Sequence, residues 1–407
     1  MNSKTGTNIM GTSTSLLLFK NVHDPFFHSP YRDYIHINVP IENTRIRWDF
    51  RVTEITNPYN PAELRFLKNN DMPTKRNMKI LVTGAGGYIG TTLTEMLSRD
   101  SYEITAIDRF LFGDTLDNIH NVNKIKADIR NLDTIKFKNA LRNVDVVIDL
   151  AALSNDPSGE LDPVKTFSIN HLGRFRAASL AKQEGVRKYI LPSSCSIYGF
   201  NDDFVDESSE PNPLTSYAKA NLMIERDAMA LNSKDFEVTV FRLATVYGLS
   251  RRRMRFDLVV NDIVGQVFTK GFTTLTTGGK QWRPFIHVRD VCKGLIMAAE
   301  NEKDLGGEIF NLGHDDQNFQ IIDLAKRIFF AIGKEERYEW TGSPDTRSYK
   351  VRFDKIKKSL NFSPSWNIER GAKEIWEALK DSQISYTDLK TITVKWYKHL
   401  MQEGIEL

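Results

Sequence analysis

The chain has 407 residues, 41% hydrophobic and 26% charged, with 55 Lys+Arg against 52 Asp+Glu and a formal net charge of +3. That length and apolar content imply a sizeable core in two or three domains and exclude a disordered chain or a fibre, while near-neutrality gives no overall drive toward nucleic acid. Two cysteines, Cys195 and Cys292, stand 97 positions apart without His or Cys company, which excludes a disulfide scaffold and a thiolate zinc site and suits a reducing, cytoplasmic setting.

Residues 1–77 hold 10 Lys+Arg and 7 Asp+Glu, so the whole net charge of +3 sits there and the remainder is balanced. This extension is rich in Asn, Thr, Pro and aromatics and lacks helical periodicity. Tyr34–Val39 and Thr44–Thr53 read as strands, either of a loose appendage or of an ordered arm. The apolar run Leu16–Phe19 is too short for a signal-peptide core or a membrane span, and the charge is too small for stable attachment to an anionic membrane surface.

From Met78 a regular alternation begins. Lys79–Thr83 reads as a strand ending at glycines, and Ile89, Leu93, Met96 and Leu97 recur at helical spacing. Tyr102–Asp108 and the β-branched Val144–Ala152 are strands, and residues 162–184 are a helix with Val164, Phe167, Leu172, Phe175 and Leu180 along one stripe. Lys188–Ser194 is a strand, Tyr217–Leu231 a helix and Val238–Val246 a strand. After Gly248 the segments shorten and become basic, as in Arg251–Arg255. A polar alternation at Phe272–Thr277, a helix at Asp290–Glu300, a strand at Glu308–Leu312 and a helix at Gln320–Ile332 follow. Strands alternating with helices predict an α/β fold with a doubly wound parallel sheet wrapped on both faces. Residues 78–248 form its first domain and 249–407 mainly a smaller α/β lobe.

Thr83-Gly84-Ala85-Gly86-Gly87-Tyr88-Ile89-Gly90 follows a strand and opens a helix. Gly84 permits the tight turn, Gly87 lets backbone amides approach a pyrophosphate, and Gly90 lets helix and strand pack closely. Asp108 ends the second strand 18 positions beyond Gly90. A carboxylate there accepts from a ribose 2′-hydroxyl and repels a 2′-phosphate, which favours NAD, although Arg109 beside it keeps NADP open.

Further signatures in the same order make the chain resemble an extended short-chain dehydrogenase/reductase of the NAD-dependent nucleotide-sugar epimerase/dehydratase family, over roughly residues 78–380. Asp128-Ile129 matches the pair that meets the adenine. Leu150-Ala151-Ala152 matches the strand end along the cofactor, and Asn170 the asparagine that supports a proton-relay water. Ser193-Ser194-Cys195-Ser196-Ile197-Tyr198-Gly199 matches the segment whose active-site hydroxyl is Ser194, with Cys195 next to the substrate. Tyr217 fits the catalytic tyrosine of YxxxK, but the lysine position holds Asn221.

An asparagine can still hydrogen-bond ribose hydroxyls, yet it carries no charge to favour a tyrosinate. Lys219 is no substitute, because i and i+2 point to opposite sides of a helix. Three readings follow for Asn221: slow chemistry helped by the charge of NAD⁺, a base supplied elsewhere, or a site that binds without turnover. On the substrate side, the resemblance makes Arg283 in Trp282-Arg283-Pro284-Phe285-Ile286-His287 the clamp on a nucleotide diphosphate. Thr245, the arginines of Arg251–Arg255, Asn261 and Arg347 are further candidates, and His287 reads as a packing residue.

The resemblance implies hydride transfer on a nucleotide-activated sugar, with Tyr217 as acid/base and Ser194 orienting the reacting hydroxyl. Cys195 and Ser196 are poor acids, which disfavours 4,6-dehydration. An NAD-binding sensor or scaffold with weak or no catalysis is the alternative. The resemblance also implies a homodimer paired through the helices of Asn170 and Tyr217.

Overall fold

The computed structural model describes residues 78–407, except Ser101 and residues 343–346. The extension over 1–77, with the strands expected at Tyr34–Val39 and Thr44–Thr53, lies outside the described residues. β1 (Lys79–Thr83) runs through the glycine turn into α1 (Tyr88–Ser98), and β2 (Glu103–Asp108), β3 (Val122–Lys126), α2 (Thr134–Leu141) and β4 (Val146–Asp149) follow. Two short helices, α3 (Asp156–Gly159) and α4 (Pro163–Phe167), lead into a π-helical turn at Ser168–Gly173 and α5 (Arg174–Gln183). β5 (Lys188–Ser194) ends in a 3-10 turn at Cys195–Tyr198, before β6 (Phe200–Val205), α6 (Ser216–Met229), β7 (Glu237–Leu243) and β8 (Thr245–Tyr247).

Beyond Gly248 come α7 (Val259–Lys270), β9 (Thr273–Thr276), β10 (Trp282–His287), α8 (Val288–Glu300), β11 (Ile309–Leu312), β12 (Asn318–Gln320) and α9 (Ile321–Ala331). β13 (Tyr338–Thr341), β14 (Ser348–Val351), α10 (Asp354–Leu360), α11 (Ile368–Lys380) and α12 (Thr393–Gln402) complete the chain.

Seven strands form one parallel sheet in the order β11-β7-β5-β4-β1-β2-β3. Both faces are covered, so the central strands are apolar on both sides. Along β1, Ile80 and Val82 join a cluster with Leu93 and Leu97 of α1 and Val291, Cys292 and Leu295 of α8. Leu81 faces the opposite layer, with Phe137 and Leu141 of α2, Ala177 and Ala181 of α5, and Ile224 and Ala228 of α6. A separate core under α7, α9 and α11 holds the smaller lobe, which also lends β11 to the main sheet.

Two expected elements come out divided. Val238–Val246 stops at Leu243 because the chain changes sheets at Ala244. β7 pairs with β5 and β11, whereas β8 pairs with β10. The expected helix over 162–184 is interrupted by the π turn, where the Asn170 side chain is drawn onto Leu153. Its apolar stripe is split as well: Leu180 is buried, while Val164 is 79% and Leu172 58% exposed.

The turn between β1 and α1 is the tightest packing that positions the site. Gly84 has φ +65°, and a Cβ there would approach the Leu150 carbonyl carbon to 2.5 Å. A Cβ at Gly90 would run into the Gly84 carbonyl and come within 2.7 Å of Ala85 Cα. Both obstacles are backbone and cannot swing aside. Gly90→Ala is expected to destabilise the protein by about 1–3 kcal/mol, the usual cost of overpacking, read as a lower midpoint in denaturant melts. An unchanged midpoint would show that helix and turn are not in this contact.

Candidate active site

The carboxyl ends of β1, β2, β4, β5 and β7 open onto a cleft of about 580 Å³, the size range of small-molecule sites and the place where open α/β sheets take ligands. Gly84, Gly87, Tyr88, Ile89 and Gly90 form one wall. Gly87 is the N-cap of α1 without a side-chain cap, so the first amides of the helix are left for a ligand. A Cβ at Gly87 would meet only the Gly84 carbonyl, at 3.1 Å, so the space beyond it is kept clear by the missing side chain. These features fit the phosphates of a dinucleotide.

Asp108 and Arg109 lie beside that wall, with Asp128 and Ile129 beyond them. Asp108 accepts from the amides of Gly86 (3.0 Å) and Phe110. Burial raises its pKa, opposed by those amides and by Arg109 and Arg253. Asp128 accepts from Arg130 through both oxygens, and Arg109 Nε lies 3.7 Å away. Burial pulls the Asp128 carboxyl upward, but the bonds and charge of Arg130, with Arg109, hold it below its ordinary value. Leu150, Ala151 and Ala152 line the opposite side, where β4 ends.

Ser194 and Tyr217 meet at the centre. Ser194 closes β5, its Oγ accepting from the Ser196 amide at 3.1 Å. Tyr217 sits in the first turn of α6, which Thr215 caps by accepting from the Ala218 amide at 3.1 Å. Gly159 of α3 presses on it, since a Cβ there would lie 2.9 Å from Tyr217 Cβ. Burial pushes the Tyr217 hydroxyl above the ordinary phenol value and Asp156 adds to this. Asn221, Ser194 and Arg174 pull it back down.

The far end is cationic, with Thr245, Arg283 and Arg347 on the wall. Arg283 donates to the carbonyls of Trp282 (2.8 Å) and Arg347 (2.5 Å) and lies over the Tyr349 ring. Arg347 is paired with Asp156, which also accepts from Thr215 Oγ1 at 2.5 Å. This pairing ties the cationic end to the α3–α6 junction that holds Tyr217.

Four expected site residues stand off the cleft wall. The Cys195 thiol turns into the core and donates to the Arg242 carbonyl at 3.3 Å, so it does not face a substrate. Asn261 is spent on the loop after β8: its Oδ1 accepts from the Gly248 amide at 2.9 Å and its Nδ2 donates to the Arg255 carbonyl at 2.8 Å. Asn170 is fully buried and exchanges two hydrogen bonds with the Leu153 backbone, at 2.8 and 3.0 Å. Asn221 is 1% exposed and lies beneath Tyr217 rather than in the cleft. His287 packs against Trp366, ring centroids 4.1 Å apart, with a pKa lowered by burial against the pull of Glu374.

The structure brings Arg253, from the basic segment Arg251–Arg255, into the cleft and adds a C-terminal segment that no pattern in the sequence marks. Arg253 lines the cleft with its guanidinium 3.5 Å from the Phe112 ring centroid; its Nε is buried without a hydrogen-bond partner, and burial lowers its pKa to about 10. The segment after α12 returns to the same end. Leu407 is fully buried with Leu153, Tyr397 and Leu400, its carbonyl accepts from Arg130 at 2.8 Å, and Arg109 donates to the Glu406 carbonyl.

The chain is similar to known proteins in sequence and fold. The NAD dependent epimerase/dehydratase family matches residues 80–313. UDP-glucuronic acid decarboxylase 1 of Arabidopsis thaliana is 26% identical over 311 residues, covering 73% of this chain and 68% of the relative. UDP-glucuronate 4-epimerase of Thermodesulfobacterium geofontis is 27% identical over 310 residues, covering 72% and 93%. The crystal structure of UDP-glucuronic acid 4-epimerase from Bacillus cereus, in complex with UDP-glucuronic acid and NAD, superposes with a TM-score of 0.68 at 26% identity, covering 75% of this chain and all of that one. With the family pattern spanning more than half of its length and the glycine turn, Ser194 and Tyr217 gathered in one cleft, the chain belongs to the NAD-dependent epimerase/dehydratase family.

Proposed function

We propose that the chain oxidises and reduces, or inverts, a hydroxyl-bearing carbon of a nucleotide-activated sugar, with a UDP-sugar such as UDP-glucuronic acid the first substrate to test. The observation that carries this reading is the convergence of the glycine turn, the Ser194–Tyr217 pair and the Arg283–Arg347 end in one cleft. Residues 78–248 supply the cofactor wall, and the part beyond 248 supplies the cationic wall.

Gly84, Gly87, Gly90, Asp108 and Asp128 would hold NAD, which would supply a reversible hydride acceptor beside the sugar. The chain positions the sugar and handles the proton. Arg283 holds the diphosphate through a forked guanidinium, and Ser194 Oγ hydrogen-bonds the reacting hydroxyl. Tyr217 takes the hydroxyl proton during oxidation and gives it back during reduction. Chemistry without loss of water is favoured because neither residue directly after Ser194, Cys195 or Ser196, is a usable acid. Burial holds the Cys195 thiol far above its ordinary pKa, and it faces the core.

Val164 and Leu172, exposed on the helices that carry the π turn, support a homodimer paired through this face. No helix among the described residues is long and apolar enough to cross a membrane. Both cysteines are buried and unpaired, which supports a reducing, cytoplasmic setting.

Incubating the NAD-loaded protein with a panel of nucleotide sugars should change the reduced-nicotinamide absorbance or convert the sugar. Tyr217→Phe should cut the rate by about 10²–10⁴-fold while NAD stays bound. A base must shed its proton to act, and Tyr217's pKa is raised, so the rate should climb as pH rises through its titration and fall below it. No binding or conversion across the panel would sink the sugar reading.

Deleting residues 403–407 opens the Arg130–Leu407 contact and should speed the release of NAD in a dilution experiment without lowering the melting temperature by more than a few degrees; unchanged release would show that the tail does not guard the cofactor. Leu172→Asp should turn a dimer into a monomer in light scattering, and a monomeric unsubstituted protein would remove the dimer proposal.

A further inference from the structure

Arg174 is a buried charge for which neither the glycine turn nor the substrate end has a use; it is 1% exposed. It opens α5 and reaches the carboxyl ends of β4 and β5. Its Nε donates to Asp149 Oδ2 at 3.0 Å, and one terminal nitrogen donates to the carbonyls of Asp149 (2.7 Å) and Pro192 (2.8 Å). The other terminal nitrogen is 3.4 Å from Asn221 Oδ1. Asn221 Nδ2 in turn donates to the carbonyl of Tyr217 at 3.1 Å, one helical turn back. The counter-ion is held from the sheet, since Asp149 also accepts from Thr83 Oγ1 and from Tyr189 OH (2.6 Å). The ion pair is thus a fixed dipole: its carboxylate is tied to β1 and β5, and a guanidinium edge is turned to α6.

We propose that Arg174 is a positioning residue for Tyr217, delivering from α5, through Asn221, the positive charge that the lysine of YxxxK delivers from α6. The proposal rests on Tyr217 acting as acid and base.

Its geometry explains the asparagine. The side chain at 221 faces a guanidinium N–H on one side and a backbone carbonyl on the other, so it must accept and donate at once. An amide does both. A lysine at 221 would only donate and would bring an ammonium toward a cation already in place. A cation at 174 and a cation at 221 therefore disfavour one another, and the neutral residue at 221 accompanies a charge moved to the next helix.

The other groups around Tyr217 set the balance that Arg174 enters. On α3 and just after it lie Asp156, paired with Arg347, and Glu160, which accepts from the Ser216 amide at 2.6 Å. From β5 comes Ser194, with the Cys195 thiol turned away, and behind α6 the Arg242–Glu225 pair is joined at 2.8 Å, with Ser193 donating to Glu225 and Arg242 to Tyr198. His171, on the π turn, is engaged with Asp227 at 2.6 Å. Arg174 is thus the cation whose free edge is directed at the Tyr217 turn.

The test follows Tyr217 itself rather than turnover. Full-length protein with NAD bound and with tyrosine labelled at the ring Cζ carbon is titrated by NMR from about pH 7 to about pH 12, reaching past the ordinary phenol value. The Tyr217 signal is assigned by its loss in Tyr217→Phe. In Asp149→Asn/Arg174→Met both charges leave together, so no lone ion stays buried. The Tyr217 midpoint should then rise by about one pH unit, a tenfold loss of phenolate at fixed pH. Arg174→Lys, which keeps the charge, should remain closer to the unsubstituted protein.

An unmoved midpoint in a folded, NAD-binding double variant overturns the proposal, and so does a Tyr217 that stays protonated throughout in the unsubstituted protein. Should the double variant not fold, Asn221→Leu breaks the relay and spares the ion pair. It should give an upward shift of the same sign, and no shift overturns the proposal. Because no substrate is present, these outcomes are separate from those of the nucleotide-sugar panel and of the Tyr217→Phe rates, which judge the sugar reading.

Discussion

A buried arginine at the carboxyl edge of a sheet has to have its charge and all its N–H groups answered. Removing one partner of such a pair leaves an uncompensated ion and costs about 3–5 kcal/mol. Three pairs meet that demand here, each between different parts of the chain or within a loop that must hold its shape. Arg174 and Asp149 join α5 to β4, Arg242 and Glu225 join β7 to α6, and Arg255 and Asp257 brace the loop before α7. The partners dictate position more tightly than apolar packing does, because a guanidinium fork accepts oxygen atoms only in particular directions. Glu225 also accepts from Ser193, next to Ser194, and lies two helical turns from Tyr217 on α6. The hydroxyl pair of the site is therefore held by a charge network one layer below it.

The cleft divides its charge by position. The cofactor end keeps carboxylates at Asp108 and Asp128, each answered by amides or arginines, and the opposite end keeps Arg283 and Arg347. Asp156 links the two halves by taking Arg347 on one oxygen and Thr215 on the other. The same carboxylate raises the pKa of Tyr217. A phosphate that draws Arg347 away from Asp156 would change the field at Tyr217 as well as fix the substrate. Under the proposed function, binding and proton handling would share one carboxylate.

What the sequence disclosed was whatever is written in local spacing. The glycine turn and the parallel strands follow from period, order and one short motif, and the approach of Ser194 to Tyr217 from the resemblance to the family. The structural roles that local spacing does not disclose are those where a non-local partner decides. Val238–Val246 looks like one strand because all its residues suit a sheet, and only the pairing of β8 with β10 shows that it serves two. Asn170, Asn261 and Cys195 have residue types that suit a site, but their hydrogen bonds are spent on Leu153, Gly248 and Arg242. Arg174 is the reverse case. Nothing in its neighbours announces a function, because Asp149 lies 25 positions earlier and Asn221 47 positions later.

The exchange of a lysine for an arginine–asparagine relay has a chemical consequence beyond geometry. A buried lysine ammonium loses its proton more readily than an exposed one, so a tyrosine that depends on it sits beside a second group titrating in the same alkaline range. A guanidinium stays charged throughout that range. With Arg174 as the source, the field on Tyr217 does not weaken as the pH rises, and the phenol loses its proton against a constant background. The lower charge density of the guanidinium and its partial cancellation by Asp149 make that field smaller than a bare ammonium would provide. The site therefore exchanges field strength for a field that holds constant with pH.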